Sequence, residues 1–522
     1  MSGVGRAEAW LRAVVVCGLV ASVACGGGDS GDDGVESVDS MPPGPVPSVN
    51  QGGVQDFGAF RAIVEAGGLP GPETLDSVGF FAEHHVTLPS PDCGEDLCVH
   101  GLMGSWVNFF DGSRCDTVMI GVNTAVDPGE VERPPMHLVV LLETSAALGD
   151  DTLALALEGL YRMRQELTEE DRVTLIRFDT TARVLIEGVA AGDDQLTSWL
   201  DNMRAGGDTN LYDGLRLAYE RAEALDDGQR QRRVMLISGS APDTGIASRE
   251  RLVEMSAAYN AAGTGLTIVG VSAGADVPLL EALAEAGGGQ VYFPEDRIAI
   301  AEVFVEEVNT ALTPVAEEVQ IAFSGEGYQV QALYGARNAR FESPERLTLD
   351  IASLYVAHRN SADDDDQGRR GGGGFMLLKL DAADAPADFD PESVGEVTLE
   401  YRVPGQEQRI AQTVTVQTPY SPDDAHEDAY FESDGVEKAF VTLNVFVGFL
   451  GAAERSADGD LGAALAILER LEGALTAWLV ANPDGDLEDD LRVLKGFKAN
   501  LLQAGANPSP NTATAWDPWY ED

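Results

Sequence analysis

The chain has 522 residues, of which 87 are acidic and 34 basic, and its net charge is −53. Its length allows about two to four domains, each with its own core. Because nucleic acids and anionic lipid headgroups are bound mainly through Lys and Arg, so acidic a surface excludes both as partners. Divalent cations and basic protein surfaces remain compatible with it.

The first 24 residues have the pattern of an export signal. Arg6 and Arg12 lie beside an apolar run, "LRAVVVCGLVASVAC", that is shorter than the roughly 20 residues needed to span a bilayer. Its end, "ASVAC", resembles a bacterial lipoprotein signal in which Cys25 is acylated after cleavage. Ser22 departs from that pattern, which usually has Leu there. An ordinary cleaved secretory signal is the alternative.

Residues 25–55 are rich in Gly, Ser, Pro and Asp and have no periodicity, which is typical of a flexible tether. With an acylated Cys25 they predict a protein anchored to a bacterial membrane through lipid. Gly26 follows this cysteine, where Asp is associated with retention in the inner membrane of enteric bacteria. The outer membrane is therefore favoured.

Three cysteines remain after processing at Cys25: Cys93, Cys98 and Cys115. An exported protein retains disulfides, and an odd number allows one bridge among the three. The sequence does not fix the pairing. We predict Cys98–Cys115, because the runs "LCVHGLMG" and "CDTVMIGV" can pair as a hairpin. A zinc site formed by these cysteines and His100 is the alternative.

The next two regions differ in their patterns. Residues 56–130 show helical spacing on both sides of a Gly-Pro turn and then two strands, which predicts a small α+β region. From 136 to 313, runs rich in Val, Ile and Leu alternate with helical segments. This pattern indicates an α/β fold with a doubly wound, mostly parallel sheet. Ligands of such folds bind beyond the carboxyl ends of the strands, here after "VVLLE" and "VMLIS".

The C-terminal part loses this alternation. Residues 314–420 contain strands without helices between them and predict a small β-sandwich. The acidic run 363–366 inside it is interpreted as a solvated hairpin tip, with calcium binding as the alternative. Residues 421–522 contain three amphipathic helices, whose apolar stripes are interpreted as core.

The region 136–313 resembles a von Willebrand factor A domain, a family that holds a divalent cation on three loops. The first loop of the family carries Asp-x-Ser-x-Ser, the second a Thr after Gly-Gly, and the third an Asp after the fourth strand. The corresponding residues here are Glu143, Ser145 and Ala147 in "ETSAA", Thr209 in "GGDTNLYDGL" and Ser238 in "LISGS". Two positions match, one has Glu for Asp, and two have lost the ligand atom.

These residues predict a degenerate metal site. Magnesium takes near-octahedral oxygen coordination. Ser145 and Thr209 are neutral, and the carboxylate of Glu143 is one methylene farther from the backbone than that of Asp. We therefore expect no cofactor, and magnesium held by these three residues is the alternative. Acidic residues in the site loops or beside them are candidate substitutes: Asp208, Asp213 and Asp243.

Outside this domain, "FRAIVEAGGLPGPETL" and "RPP" resemble the region before the A domain of bacterial YfbK-like lipoproteins. That resemblance implies a membrane-tethered scaffold. The sequence has no His-Glu-x-x-His or GxxxxGKS/T motif, so we do not expect an enzyme. We predict a cell-envelope scaffold whose A-type domain binds a protein partner without a metal. A metal-dependent adhesin and a regulatory subunit of an envelope transport system are the alternatives.

Overall fold

A computed structural model describes most of the chain. The described residues are 49–51, 57–126, 135–272, 274–294, 297–310, 314–337, 339–356, 374–382, 393–404, 406–419 and 429–507. The predicted export signal, the acylated Cys25, nearly all of the tether and the acidic run 363–366 lie outside these residues.

The N-terminal region combines short helices with a hairpin. Its elements are β1 (Val49–Gln51), α1 (Gly58–Glu65), a 3-10 turn (Pro72–Thr74), α2 (Ser77–Ala82), β2 (Leu97–Val107) and β3 (Arg114–Thr124). The Asp76 carboxylate caps α2 by accepting a hydrogen bond from the Gly79 amide at 3.0 Å. Strands β2 and β3 pair antiparallel, so the predicted hairpin is present.

The central region is a six-stranded sheet with helices on both faces. Its elements are β4 (Met136–Glu143), α3 (Asp150–Glu166), β5 (Arg172–Phe178), β6 (Ala182–Ala190), α4 (Asp194–Leu200), α5 (Leu211–Ala224), β7 (Gln231–Ser238), α6 (Arg249–Ala261), β8 (Thr264–Gly270), α7 (Val277–Ala286), β9 (Val291–Tyr292) and α8 (Arg297–Thr310).

The strand order of this sheet is β6-β5-β4-β7-β8-β9, and β6 alone runs antiparallel to its neighbour. Strand β4 is buried at all eight positions because one apolar core lies on each face of the sheet. A continuous apolar run is what a strand covered on both sides requires. The predicted α/β fold with a mostly parallel sheet is confirmed.

Two antiparallel sheets form the predicted sandwich. Its strands after the central region are β10 (Pro314–Gly325), β11 (Tyr328–Tyr334), β12 (Ala339–Ser343), β13 (Arg346–Val356), β14 (Phe375–Ala382), β15 (Ser393–Arg402), β16 (Arg409–Gln417) and β17 (Tyr430–Phe431). One sheet has the order β1-β13-β10-β15-β16, with β12 also paired to β13. The other has the order β11-β14-β3-β2-β17. The N-terminal hairpin therefore lies inside the sandwich, across the boundary predicted from sequence.

Three helices close the described chain: α9 (Asp434–Ala457), α10 (Leu461–Ala481) and α11 (Gly485–Gln503). Within the described residues, α9 is the one helix long and apolar enough to cross a membrane, but 89% of its most apolar window is buried in the protein. It packs against the sandwich and the other two helices. We therefore interpret α9 as a core helix.

Buried polar pairs join the N-terminal helices to these C-terminal helices. His84 Nε2 lies 2.8 Å from Asp490 Oδ2 with both side chains fully buried, and the ion pair of Arg61 with Glu83 holds α1 beside the end of α2. The Asn500 amide donates to the backbone carbonyl of Val64 at 2.8 Å. The N-terminal and C-terminal regions thus share one core, which also contains part of the sandwich.

The disulfide joins Cys93 to Cys98, with a Cα–Cα distance of 5.7 Å, and the predicted Cys98–Cys115 bridge is wrong. In the hairpin register Cys98 pairs with Asn123 and Cys115 pairs with Trp106, eight residues farther along β2. Eight residues of strand separate the two cysteines by about 26 Å. The alternative zinc site fails as well, because two of the sulfurs are bonded to each other.

Candidate functional site

The site loops meet because β4 and β7 are parallel neighbours. Leu142 pairs with Ile237, so the strands end side by side at Glu143 and Ser238. A third loop, residues 201–210, lies against the first through backbone hydrogen bonds. Gly206 N donates to Thr144 O at 2.8 Å, and Ala146 N donates to Gly207 O at 2.9 Å. This loop carries Thr209 to the same place.

The Glu143 carboxylate is at the centre of the site. Its Oε1 accepts hydrogen bonds from Ser145 Oγ at 2.5 Å and from Thr209 Oγ1 at 3.2 Å. Its Oε2 accepts from Ser238 Oγ at 2.7 Å and from the backbone N–H groups of Gly239 and Ser240 at 2.8 and 3.3 Å. One side chain thereby bonds to all three loops.

The residues around this carboxylate are removed from solvent. Glu143 and Thr209 are 0% exposed, and Ser145 and Ser238 are equally enclosed. Ser145 Oγ also accepts a hydrogen bond from Leu148 N at 3.3 Å, which closes the turn after β4. A buried carboxylate is stable only when its charge is well hydrogen-bonded, and five donors meet that need here.

The structure brings together four of the five positions that correspond to the metal loops. Glu143, Ser145, Thr209 and Ser238 form one hydrogen-bonded group. Ala147 lies on the exposed rim of the same loop. Its methyl group offers no ligand atom.

The three candidate substitute carboxylates have other partners. Asp243 Oδ1 accepts from Thr209 N at 2.7 Å. Asp213 accepts from Ala182 N at 3.0 Å and pairs with Arg216 at 2.8 Å, and both contacts lower its pKa. Asp208 is exposed and accepts from Thr180 Oγ1 at 3.5 Å. In the described part of the chain, no group of three or more His, Cys, Asp and Glu side chains is arranged to hold a metal ion.

Sequence reasoning missed the backbone part of the site. The amides of Gly239 and Ser240 donate to Glu143, and their role has no side-chain signature. A Cβ at Gly239 would lie 2.7 Å from the Leu148 side chain and 2.8 Å from Ser272 Cβ, so glycine is required by space. In the sequence, the glycine that follows "LIS" is the feature that could have indicated this close approach of the backbone.

The face above the buried group is small and mildly acidic. Ala146 and Ala147 are exposed on the first loop, Gly207 and Asp208 on the second, and Asp243 in the loop after β7. Short side chains leave the loop backbones accessible. This face offers shape and hydrogen-bonding groups.

The fold and the position of the site define a class of domain. Residues 137–306 match the family model of the von Willebrand factor type A domain, which is 170 of the 522 residues. The six-stranded sheet and the three converging loops agree with that match. The chain contains a von Willebrand factor type A domain, called the A domain below.

A bacterial relative extends the comparison. The uncharacterized protein YfbK of Escherichia coli strain K12 is 24% identical over 205 residues, which are 38% of this chain and 36% of YfbK. The aligned part thus spans about a third of the length of that relative.

Solved structures to which the chain is similar include a von Willebrand factor type A protein from Catenulispora acidiphila, with a TM-score of 0.45 and 14% identity over 77% of this chain and 89% of that one. The ArnB paralog VWA2 from Sulfolobus acidocaldarius has a TM-score of 0.39 and 16% identity over 77% and 99%. The type V pili tip protein Mfa5 from Porphyromonas gingivalis has a TM-score of 0.30 and 11% identity over 64% and 78%.

Proposed function

We propose that this protein is a membrane-tethered scaffold of the bacterial cell envelope that binds a protein partner through its A domain without a metal ion. The partner contacts the loops after β4 and β7 together with loop 201–210. The protein binds rather than catalyses.

The observation that carries this proposal is the set of contacts made by Glu143. In the family pattern, the first-loop and third-loop carboxylates and the loop hydroxyls surround a cation. Here the hydroxyls of Ser145, Thr209 and Ser238 point their protons at one carboxylate instead. Five donors occupy the two oxygens of the Glu143 carboxylate, so the one charged group of the site has no free lone pair for a cation. The carboxylate holds the three loops together, at the place where the family pattern has a cation.

The charges of the grouped residues also support a site without a metal ion. Magnesium is bound by several oxygen ligands, usually with one or two carboxylates among them. Of the four grouped positions only Glu143 is charged, and both of its oxygens already accept hydrogen bonds. The donor set that remains does not fit a resident divalent ion.

The membrane tether in this proposal is inferred from the amino-acid sequence. The signal that ends at Cys25 and the Gly/Ser/Pro-rich stretch after it fit a lipid-anchored protein of an exported compartment. The disulfide between Cys93 and Cys98 is consistent with an oxidising compartment. A tether of this composition leaves the A domain free to meet partners beside the membrane.

Photo-crosslinking of the full-length chain in its own envelope tests the proposal. A photoreactive residue at Ala147 should capture a discrete partner, and the adduct should persist in EDTA. The matched control places the same residue at Leu225, which is 36% exposed at the C-terminal end of α5, near the start of β7. Loss of the Ala147 adduct in EDTA, or the same adduct from both positions, would contradict the proposal. The Cys25→Ser chain should leave the membrane fraction.

A further inference from the structure

The A domain contacts the rest of the chain along a seam, which we define by its two sides. On one side are α1, the 3-10 turn and Arg337 in the turn after β11. On the other side are α7 and the carboxyl end of β8. Helix α7 packs on the 3-10 turn, and Ala59 of α1 belongs to an apolar core of the A domain.

The seam is incompletely packed. A cavity of about 160 Å³ lies between α1 and the A domain. Its lining includes Ala62 and Ile63 on one side and Val271, Val277 and Phe293 on the other. This cavity is partly open to solvent, and the side chains that line it lack packed partners there, so this contact between domains is weaker than a filled one.

The charges at the seam are crowded. Arg337 makes a bidentate pair with Asp76, with Nη2–Oδ2 at 2.8 Å and Nε–Oδ1 at 3.2 Å. Glu281 of α7 is partly buried beside this pair. The charged groups on the elements around it are Asp76, Arg337, Arg249 at the start of α6, Glu285 on α7 itself and the exposed Glu73 of the 3-10 turn. The charges of Asp76 and Glu285 offset those of Arg337 and Arg249, and burial opposes ionisation, so an ionised Glu281 is poorly compensated.

We propose that ionisation of Glu281 releases the A domain from this seam, so that the domain is docked when Glu281 is protonated and undocked when it is charged. The inference rests on the seam and is independent of the function proposed above.

The direction of the pH dependence follows from Glu281. Burial, with the Asp76 charge adding to it, raises the pKa of Glu281 from 4.5 to about 7 in the docked state. A raised pKa means that the docked state holds the proton more tightly. Its contribution to docking is complete below pH 4.5 and is lost as pH rises through about 7. Full ionisation weakens the docking equilibrium on the order of 100-fold.

The seam adjoins the candidate site. Ser272 lines the cavity, and a Cβ on Gly239 would lie 2.8 Å from Ser272 Cβ. Gly239 N donates to the Glu143 carboxylate at 2.8 Å. Release of the seam therefore frees a segment that packs directly on a site loop.

Distance measurement in the full-length chain tests this inference. Fluorophores are attached through non-natural side chains at Leu225 in the A domain and Val480 in α10, both of which are exposed. Energy transfer should show one narrow population at about pH 5.5 and a second population that grows as the pH rises through about 7. Glu281→Gln mimics the protonated carboxyl and should remain docked throughout.

Glu285→Gln, on the same helix, is the matched control and should keep the transition. Circular dichroism of both variants verifies that they fold. An unchanged distribution in the wild-type chain up to about pH 8.5 overturns the inference. The same transition in Glu281→Gln overturns it as well.

Discussion

Ser238 Oγ donates a 2.7 Å hydrogen bond to Glu143 Oε2 and so joins the carboxyl ends of two neighbouring parallel strands. The bond is fully buried, and Oε1 of the same carboxylate continues the link to Thr209 on a third loop. The site loops are thus held by a side chain of the protein itself. This arrangement has consequences for stability that can be measured.

Glu143→Gln should destabilise the protein by about 2–4 kcal/mol. The amide keeps one acceptor oxygen, so either Ser145 and Thr209 or Ser238 and Gly239 lose their partner in a buried site. The free energy of unfolding in urea measures the loss. Asp208→Asn, an exposed change on a neighbouring loop, should cost less than about 0.5 kcal/mol. Equal losses in the two variants would show that the buried carboxylate is not the link between the loops.

Replacing the bridge by Cys93→Ser should cost about 2 kcal/mol, the chain-entropy value for so short a loop. Burial raises the pKa of the Cys115 thiol, which should therefore resist alkylation in the folded protein. Cys115→Ser is the control and should leave the bridge intact. Peptide mapping without reductant should recover Cys93 joined to Cys98, and recovery of Cys98 joined to Cys115 would refute the assignment.

The His84–Asp490 pair should show strong energetic coupling. His84 Nδ1 lies 2.7 Å from Phe80 O, so that nitrogen donates its proton to the carbonyl, while Nε2 faces the carboxylate. Asp490→Asn or His84→Gln alone should cost about 3–5 kcal/mol, since each leaves a buried polar partner unmatched. A double-mutant cycle in urea should give a coupling of about 1–3 kcal/mol. Strict additivity would mean that the two side chains do not act as a pair.

His137 should make the A domain acid-sensitive. Burial lowers the pKa of His137 from 6.5 to about 4, and the side chain is 2% exposed at the start of β4. Because the folded pKa lies below the unfolded value, the stabilisation is complete above pH 6.5 and is lost as pH falls through about 4. The loss should reach about 3 kcal/mol. His137→Gln should flatten the pH dependence of unfolding between about pH 4 and 6.5, and an unaltered pH dependence in this variant would contradict the prediction.

Sequence predicted those parts of the fold that local patterns determine. Strand β4 is a continuous apolar run, and such runs between helices indicate a parallel sheet. Local patterns could not predict that β14 pairs with β3, because Phe375 and Gly121, which lie opposite each other, are more than 250 residues apart in the chain. The predicted Cys98–Cys115 disulfide was wrong for a related reason. The hairpin was predicted correctly, but the sequence did not give the register of its two strands.

The sequence predicted where the residues of the candidate site lie, but it did not predict the hydrogen bonds between them. Sequence placed Glu143, Ser145, Thr209 and Ser238 on three loops of one edge. It could not show that the longer Glu side chain reaches the hydroxyls, because that depends on the distances between loops. Gly239 and Ser240 contribute through their backbones, for which residue type gives little information.

Calorimetric titration of magnesium and manganese into the full-length chain tests the central claim most directly. We expect no binding to the wild-type protein. Micromolar binding should appear in the variant that restores the family pattern, Glu143→Asp with Ala147→Ser and Ser238→Asp. That variant shows that the measurement detects a working site. Micromolar binding by the wild-type chain, lost in Thr209→Ala, would contradict a metal-free A domain.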